Sequence, residues 1–227
     1  MARYIGPVCK LCRREGAKLF LKGERCNSKC PIDKPTGSLV PGQHGKRRSK
    51  MTDYGKRLRE KQKTKRIAGL LETSFYGYFK RARKMPGQTG ETLLRLLEIR
   101  LDNVVRRLGF ASSMASARQM VLHGHIKVDG KRVNIPSYSV SVGETITLFD
   151  GVKGNLAVQR SIASQIRKEI PAWLELDPSL MDTLGRSKDL PVDLSNIKVE
   201  GRMKLQPKRE EMSYPVNDQY IVELYSK

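Results

Sequence analysis

The chain has 227 residues, a length suited to one or two domains, and its 38% hydrophobic content is low for a single large core. Its formal net charge is +21, and residues 1–90 alone carry a net charge of +18. Such a charge favours a polyanionic partner, most often nucleic acid. We find neither an apolar run of about 20 residues for a membrane span nor a secretory signal. We therefore expect a protein of the cell interior that binds no membrane.

All four cysteines lie near the N-terminus, at Cys9, Cys12, Cys26 and Cys30. Disulfides are rare in reducing compartments, and a thioredoxin-type redox pair would require a βαβ context that this stretch lacks. The spacing C-x2-C-x13-C-x3-C is typical of a structural Zn²⁺ site, in which four thiolates surround one ion. An iron–sulfur cluster and four reduced thiols without a metal are the alternatives. Because residues 1–45 are rich in glycine and proline, we expect a metal, rather than a core, to order them.

A helical and very basic segment follows, from Thr52 to about Met85. Thr52 or Asp53 can cap its start. Only Glu60 interrupts the positive charges of "GKRLREKQKTKR", so salt bridges do not account for the run. We therefore expect these cations to contact the phosphate backbone of a nucleic acid. The aromatic rings of "FYGYFKRARK" (75–84) are interpreted as core residues, with stacking on bases as the alternative.

The stretch "MPGQTGE" (85–91) breaks the chain and begins a second unit. Leucine and valine residues then recur at intervals of three and four positions. This spacing predicts one amphipathic helix from Thr89 or Gly90 to Gly109.

A shorter helix is predicted to begin at Ser112 or Ser113. Alternating apolar and polar residues then surround Asp129-Gly130, which is the signature of a hairpin with a type I′ turn. A second strand pair is predicted around Gly143. Two helices leading into a small antiparallel sheet make a compact unit.

These residues carry a resemblance to a known family. "LLEIRLDNVVRRLGFASSMASARQMVLHGHIKVDGKRVNIPSY" (96–138) resembles the alpha-L RNA-binding module that several RNA proteins share. Over nearly the whole chain, and in order, the sequence resembles the family of bacterial small-subunit ribosomal protein four. The stretches that carry this wider resemblance are "RYIGP", "CRREGAKLFLK", "PGQHG", "DYGKRLREKQKTKRI", "TGETLLRLLEIRLDNVV", "WLE" and "IVELYSK". The cysteines place the chain in the zinc-bearing branch of that family.

Two features depart from the family pattern. Arg106 stands where an aromatic or apolar residue is usual, and residues 182–208 form a segment longer than the family norm. The sequence assigns no role to that longer segment.

The resemblance implies an α+β fold with several parts. Residues 1–45 would form a zinc-binding N-terminal arm, and residues 46–97 a helical RNA-binding domain. Residues 98–161 would form the inserted alpha-L RNA-binding module, with two helices and a small twisted antiparallel sheet. Residues 162–227 would pack on the helical domain and complete it, with an extended insertion near 182–208.

The resemblance also implies a function. The protein would be a structural constituent of the small ribosomal subunit, on cytoplasmic ribosomes, and not an enzyme. It would bind small-subunit ribosomal RNA, nucleate assembly of the subunit body, and contribute to messenger RNA entry and translational accuracy. The implied partners are small-subunit ribosomal RNA, ribosomal proteins three, five and twelve, and messenger RNA where it enters the subunit. The implied cofactor is a structural Zn²⁺, with no small-molecule substrate.

The charge pattern and the resemblance together predict an RNA interface made mostly of basic residues. These are Arg3, Arg13, Arg14, Lys22, His44, Lys46, Arg47, Arg48, Lys50, Tyr54, Lys56, Arg57, Arg59, Lys61, Lys63, Lys65, Arg66, Arg100, Arg107, Ser113, Arg118 and Lys127. The metal ligands would be the four cysteines, and no catalytic residue is expected.

Two other classes of protein compete with this interpretation. An RNA-modifying enzyme such as a pseudouridine synthase also carries an alpha-L module, but it needs a catalytic domain with a placed aspartate. The roughly 70 residues after position 157 contain no recognisable catalytic set. A zinc-finger DNA regulator would place a recognition helix beside the metal, where this chain has a loop rich in glycine and proline.

Overall fold

A computed structural model describes residues 3–35, 37, 39–45, 50–166, 170–186, 194, 197–212 and 214–226. The helices are α1 (Val8–Glu15), α2 (Arg25–Ser28), α3 (Asp53–Ile67), α4 (Glu72–Lys84), α5 (Thr89–Glu98), α6 (Leu101–Arg107), α7 (Met114–Leu122), α8 (Asp150–Lys153), α9 (Leu156–Ile166), α10 (Pro178–Arg186) and α11 (Asp218–Tyr225). The strands are β1 (Ile126–Val128), β2 (Lys131–Arg132), β3 (Thr145–Leu148), β4 (Leu174–Leu176) and β5 (Glu200–Met203). The expected combination of helices with a small antiparallel sheet is confirmed.

The chain divides into two compact units. The first contains Met1–Leu94 and Ser213–Lys227, and the second contains Arg95–Met212. This division differs from the sequence-based scheme, in which all of residues 162–227 pack on the helical domain. The difference arises because β5 pairs with β3 and β4 pairs with β5, which draws this part of the chain into the second unit.

In the first unit, α3, α4 and the C-terminal α11 surround a cluster of aromatic rings. The side chains of Phe75, Tyr78 and Phe79 are buried, which confirms the prediction for these three rings, whereas Tyr76 is 41% exposed. The ring of Tyr225 lies 4.7 Å from that of Phe79, centroid to centroid. The start of α3 is capped as predicted, since Oγ1 of Thr52 accepts a 3.1 Å hydrogen bond from the backbone of the third helical residue.

The second unit is built on an antiparallel sheet with the strand order β2-β1-β3-β5-β4. Asp129 and Gly130 both have positive φ, at 45° and 77°, as a type I′ turn requires, so the predicted hairpin is confirmed. The predicted strand pair around Gly143 is wrong. Residue Val140 instead donates its backbone N–H to the carbonyl of Ile99, and β3 pairs with β1 and β5.

The predicted single helix from residue 89 to Gly109 is also wrong, because it is broken between α5 and α6. Arg100 has extended backbone angles, with φ −66° and ψ 138°, and forms an isolated bridge with Ser139. The N–H of Leu101 donates a 2.8 Å hydrogen bond to the carbonyl of Tyr138. Tertiary hydrogen bonds thus replace the helical ones that the apolar spacing predicted.

The core of the second unit lies between the sheet and its helices. Trp173, Phe110, Ile146 and Ile162 are among its largest buried side chains. No helix in the described ranges combines the length and hydrophobicity that crossing a membrane requires.

Candidate nucleic-acid interface

The basic helix α3 is fixed to α1 through one buried carboxylate. The side chain of Glu15 is 1% exposed and pairs with Arg59, at 3.2 Å, and with Arg66. Arg66 also donates a 3.4 Å hydrogen bond to the carbonyl of Leu11. Burial raises the pKa of the Glu15 carboxyl, and the charges of Arg66 and Arg59 oppose that shift. Two predicted RNA-binding arginines therefore hold the arm helix in place.

A second carboxylate, Glu72 at the start of α4, pairs with two lysines of α3. Lys61 Nζ lies 2.7 Å from its Oε1 and Lys65 Nζ lies 2.8 Å from its Oε2, while the Tyr225 hydroxyl donates to Oε1 at 2.7 Å. Burial raises the pKa of Glu72, but these three hydrogen bonds outweigh burial and lower the pKa to about 2. Lys61 is only 7% exposed, so it has a structural role here, and its contact with RNA stays a prediction.

The remaining cations along α3 reach the C-terminal segment or their own helix. Arg57 Nε lies 2.6 Å from Oε2 of Glu223, and Lys63 Nζ lies 3.0 Å both from Oε1 of Glu60 and from the carbonyl of Pro215. The expectation that salt bridges do not account for the basic run is therefore wrong. Most of its carboxylate partners lie outside α3 and become neighbours only in the folded chain.

A further group of exposed cations in the first unit lies at the end of α4. The predicted RNA interface did not include these residues. Lys80, Arg81, Arg83 and Lys84 are all exposed. Lys80 Nζ lies 4.6 Å from the centre of a neighbouring tyrosine ring, Tyr76. In the described part of the chain, no salt bridge involves these four residues. The basic stretch "KRARK" (80–84) could have indicated these cations. The sequence-based interpretation assigned only the aromatic rings of the segment, and assigned them to the core.

The other predicted positions of the first unit differ in exposure. Those with exposed side chains are Arg3, Arg14, Lys22, His44, Lys50, Tyr54 and Lys56. Arg13 is half-buried and donates a 3.1 Å hydrogen bond to the carbonyl of Leu39. Lys46, Arg47 and Arg48 lie outside the described residues. The exposed positions and the end of α4 are therefore the candidate phosphate contacts of this unit.

In the second unit, two arginines predicted to bind RNA are buried. Arg100, 1% exposed, makes a two-bond contact with Asp102 at 3.0 and 2.8 Å. Arg118, 5% exposed, lies 3.3 Å from the same carboxylate. These two side chains therefore have a structural role within the unit, and their contact with RNA stays a prediction.

Arg107 is likewise used within the unit, because Glu98 at the end of α5 accepts hydrogen bonds from its guanidinium. The amide of Asn103 donates to the backbone carbonyl of Glu98 at 3.0 Å and accepts from Arg106 at 3.1 Å. Arg106 thus contributes a polar contact within the unit. Ser113 caps α7, because its hydroxyl oxygen accepts a hydrogen bond from the backbone N–H of the third helical residue. Lys127, the other predicted RNA-binding residue of this unit, lies on β1 and is half-buried.

The four cysteines line one small cavity of about 10 Å³. A space of that size is comparable with a single water molecule or ion. Burial raises the pKa of the Cys12 thiol, and the charges of Cys26, Cys9 and Cys30 raise it further, while a backbone hydrogen bond lowers it. The backbone N–H of Lys22 donates to Sγ of Cys26 at 3.3 Å.

The donor set therefore fits a thiophilic ion, although the thiols are not in ligating geometry. Within the described ranges, no three His, Cys, Asp or Glu side chains form a ready metal-holding group. No disulfide joins these thiols.

Comparison with known proteins gives the following matches. The family model "Ribosomal protein S4/S9 N-terminal domain" matches residues 3–98, and the model "S4 domain" matches residues 99–146. The chain is 49% identical to a small ribosomal subunit protein uS4 of Geotalea daltonii and 51% identical to that of Dictyoglomus turgidum, each over 228 residues. It is 47% identical over 227 residues to that of Endomicrobium trichonymphae. Each match covers all of both chains.

Proposed function

The chain belongs to the family of small ribosomal subunit protein uS4, and we propose that it nucleates assembly of the subunit body by binding folded ribosomal RNA. As a member of that family it is a structural, RNA-binding constituent of the small subunit and not an enzyme. Its expected location on the cytoplasmic ribosome follows from that membership.

The observation that carries the assembly proposal is the charge that remains after internal pairing. Residues 1–90 carry a net charge of +18, although their carboxylates already hold α3 to its neighbours. The surplus is therefore available at exposed cations such as Arg83 and Lys84. Lysine and arginine that neutralise phosphates release counterions, which supplies affinity without reading sequence. Specificity then comes from the shape of the folded RNA.

A paired-variant experiment tests this binding. Arg83→Gln with Lys84→Gln removes two unpaired charges from the end of α4. Binding to transcribed small-subunit ribosomal RNA should weaken, and the log–log salt slope should flatten by about 1.5 to 2 units.

The matched control is Lys198→Gln with Lys204→Gln, which removes the same charge from exposed pairs with Glu200 and Glu175. The control should change the slope by less than about half a unit. If both double variants changed the salt slope equally, only the total charge would matter, and the proposed RNA contact at the end of α4 would be wrong.

The four cysteines are proposed to hold a structural Zn²⁺. The support is their common cavity, their thiol chemistry, and the backbone N–H that points at Cys26. When bound, the ion would cross-link the two cysteine pairs and order the arm around α1. The arm contains few buried apolar residues, such as Leu19, so a cross-link has a clear physical role.

Elemental analysis of the full chain tests the metal. Protein purified without chelator should contain one zinc per chain, and Cys26→Ser should abolish it. Ser28→Ala, an exposed change beside the cluster, should retain it. Iron with acid-labile sulfide would identify a cluster instead, and absence of any metal would leave four reduced thiols.

Protein partners and messenger RNA remain part of the proposal. We propose contacts with ribosomal proteins three, five and twelve, and a place beside messenger RNA where it enters the subunit, with an effect on decoding accuracy. The support is the resemblance along the whole chain. Crosslinking within assembled subunits, followed by identification of the joined peptides, tests these partners.

A further inference from the structure

One surface of the second unit combines an exposed aromatic ring with cations that form no salt bridge. Phe149, which directly follows β3, is 39% exposed. Lys127 Nζ lies 5.4 Å from the ring centre, and Arg132 Cζ lies 5.7 Å from it. Within the described ranges neither cation forms a salt bridge with a carboxylate, in contrast to the paired cations of α3. Asp150, next in the chain, pairs with Lys153 at 2.7 Å.

Backbone hydrogen bonds hold this surface in a defined shape. The N–H of Phe149 donates to the carbonyl of His125 at 2.9 Å. The guanidinium of Arg132 donates to the carbonyls of Gly124, at 2.6 Å, and His123, at 3.0 Å. Gly124 has φ 68°, and a Cβ there would lie 2.3 Å from Nε of Arg132. The positive φ favours glycine at this position, and a Cβ there would also force the arginine side chain to shift.

The same turn borders an open cavity of about 330 Å³. His123 and His125 line it, and their rings lie 5.7 Å apart. Burial lowers the pKa of His125, and the charges of His123 and Arg132 lower it further, which favours the neutral ring near neutral pH. Hydrogen-bonding side chains on other walls are those of Ser112, Ser116, Gln119 and Asn155.

We propose that this surface binds an unpaired nucleotide of small-subunit ribosomal RNA, with its base stacked on Phe149 and its phosphates held by Lys127 and Arg132. The inference rests on the proposed function and adds a contact of a different kind. Bases stack on exposed aromatic rings whatever their sequence, and nearby cations hold the backbone. The adjacent cavity has room and polar groups for a neighbouring base. An acidic peptide would use the two cations but would have no use for the ring or the cavity.

Variants of the full chain separate stacking from charge. Phe149→Leu keeps an apolar side chain but removes the ring, and it should bind transcribed small-subunit ribosomal RNA at least about fivefold more weakly, with the salt slope unchanged. Phe149→Tyr should bind like the parent. Lys127→Gln should flatten the slope by about one unit. The control Ile135→Ala alters a 53% exposed side chain of the same unit and should stay within about twofold of the parent.

Ultraviolet crosslinking of the parent complex supplies a second measurement that does not depend on any variant. A nucleotide joined to the peptide that contains Phe149 supports the proposal. Parent-like binding by Phe149→Leu together with no such adduct would overturn it, as would crosslinks from this peptide to a protein instead of RNA in assembled subunits. If the parent itself failed to bind the RNA, the proposed function would fail, and the stacking site with it.

Discussion

The hydroxyl of Tyr225 donates a 2.7 Å hydrogen bond to Oε1 of Glu72, which ties the last helix of the chain to the start of α4. The same carboxylate accepts from Lys61 and Lys65 of α3. One acidic residue therefore joins two consecutive helices, α3 and α4, to the distant C-terminal helix α11.

The first prediction concerns acid stability at this junction. The pKa of Glu72 is lowered to about 2 in the folded chain, below its ordinary value of 4.5. A carboxyl with a lowered folded pKa stabilises the fold above its ordinary pKa and loses that effect as pH falls through the folded value. The parent should therefore lose stability from Glu72 between about pH 4.5 and pH 2, and Glu72→Gln should not show this part of the loss.

Urea unfolding measured as a function of pH, with the aromatic cluster of Phe75, Phe79 and Tyr225 as the probe, tests this effect. Glu24→Gln, at an exposed carboxylate of the same unit, serves as the control and should follow the parent. Because Glu72 is 46% exposed, solvent screening limits the size of the effect. Identical pH profiles for Glu72→Gln and the parent would show that the three contacts do not hold in solution.

The second prediction concerns the attachment of the arm. Glu15→Gln removes the carboxylate that Arg59 and Arg66 share, and we expect the attachment of α1 to α3 to weaken. Hydrogen exchange should accelerate along α1 and the facing part of α3, whereas β1 and β3 should keep the parent rates. Uniform acceleration in both units would contradict this local role.

The third prediction concerns the buried pair in the second unit. Asp102→Asn removes the charge that faces Arg100 and Arg118, and we expect the free energy of unfolding to fall by about 3 kcal/mol or more. Asp182→Asn, at an exposed position of the same unit, should change it by less than about 0.5 kcal/mol. Chemical unfolding of the full chain measures both. Equal, small effects would mean that Asp102 does not stabilise this unit.

The fourth prediction concerns packing. Leu101 is fully buried at the start of α6, so Leu101→Ala should open a cavity and destabilise the second unit by about 2–5 kcal/mol. Leu122→Ala, at a 43% exposed site on α7, should cost far less. Thermal unfolding followed by circular dichroism compares the two. A larger loss at Leu122 would reverse our assignment of the inner face.

Several features of the fold were predictable because their causes are local. Thr52 and Ser113 cap helices by bonding to residues three positions away, and Asp129-Gly130 supplies the two positive φ angles of its turn. Composition alone indicated the nucleic-acid partner, and the ordered series of family motifs indicated the ribosome. Each of these signals is contained within a short stretch of chain or in its total charge.

Contacts between distant residues decided the rest. The apolar spacing through residue 100 is helical, but the bridge from Arg100 to Ser139 and the buried pair with Asp102 end α5 and restart the chain as α6. The partners of the α3 cations, such as Glu15 and Glu223, lie outside that helix. Charge and hydrophobic period are readable from sequence, whereas the availability of a given cation depends on which carboxylate folding brings within hydrogen-bonding distance.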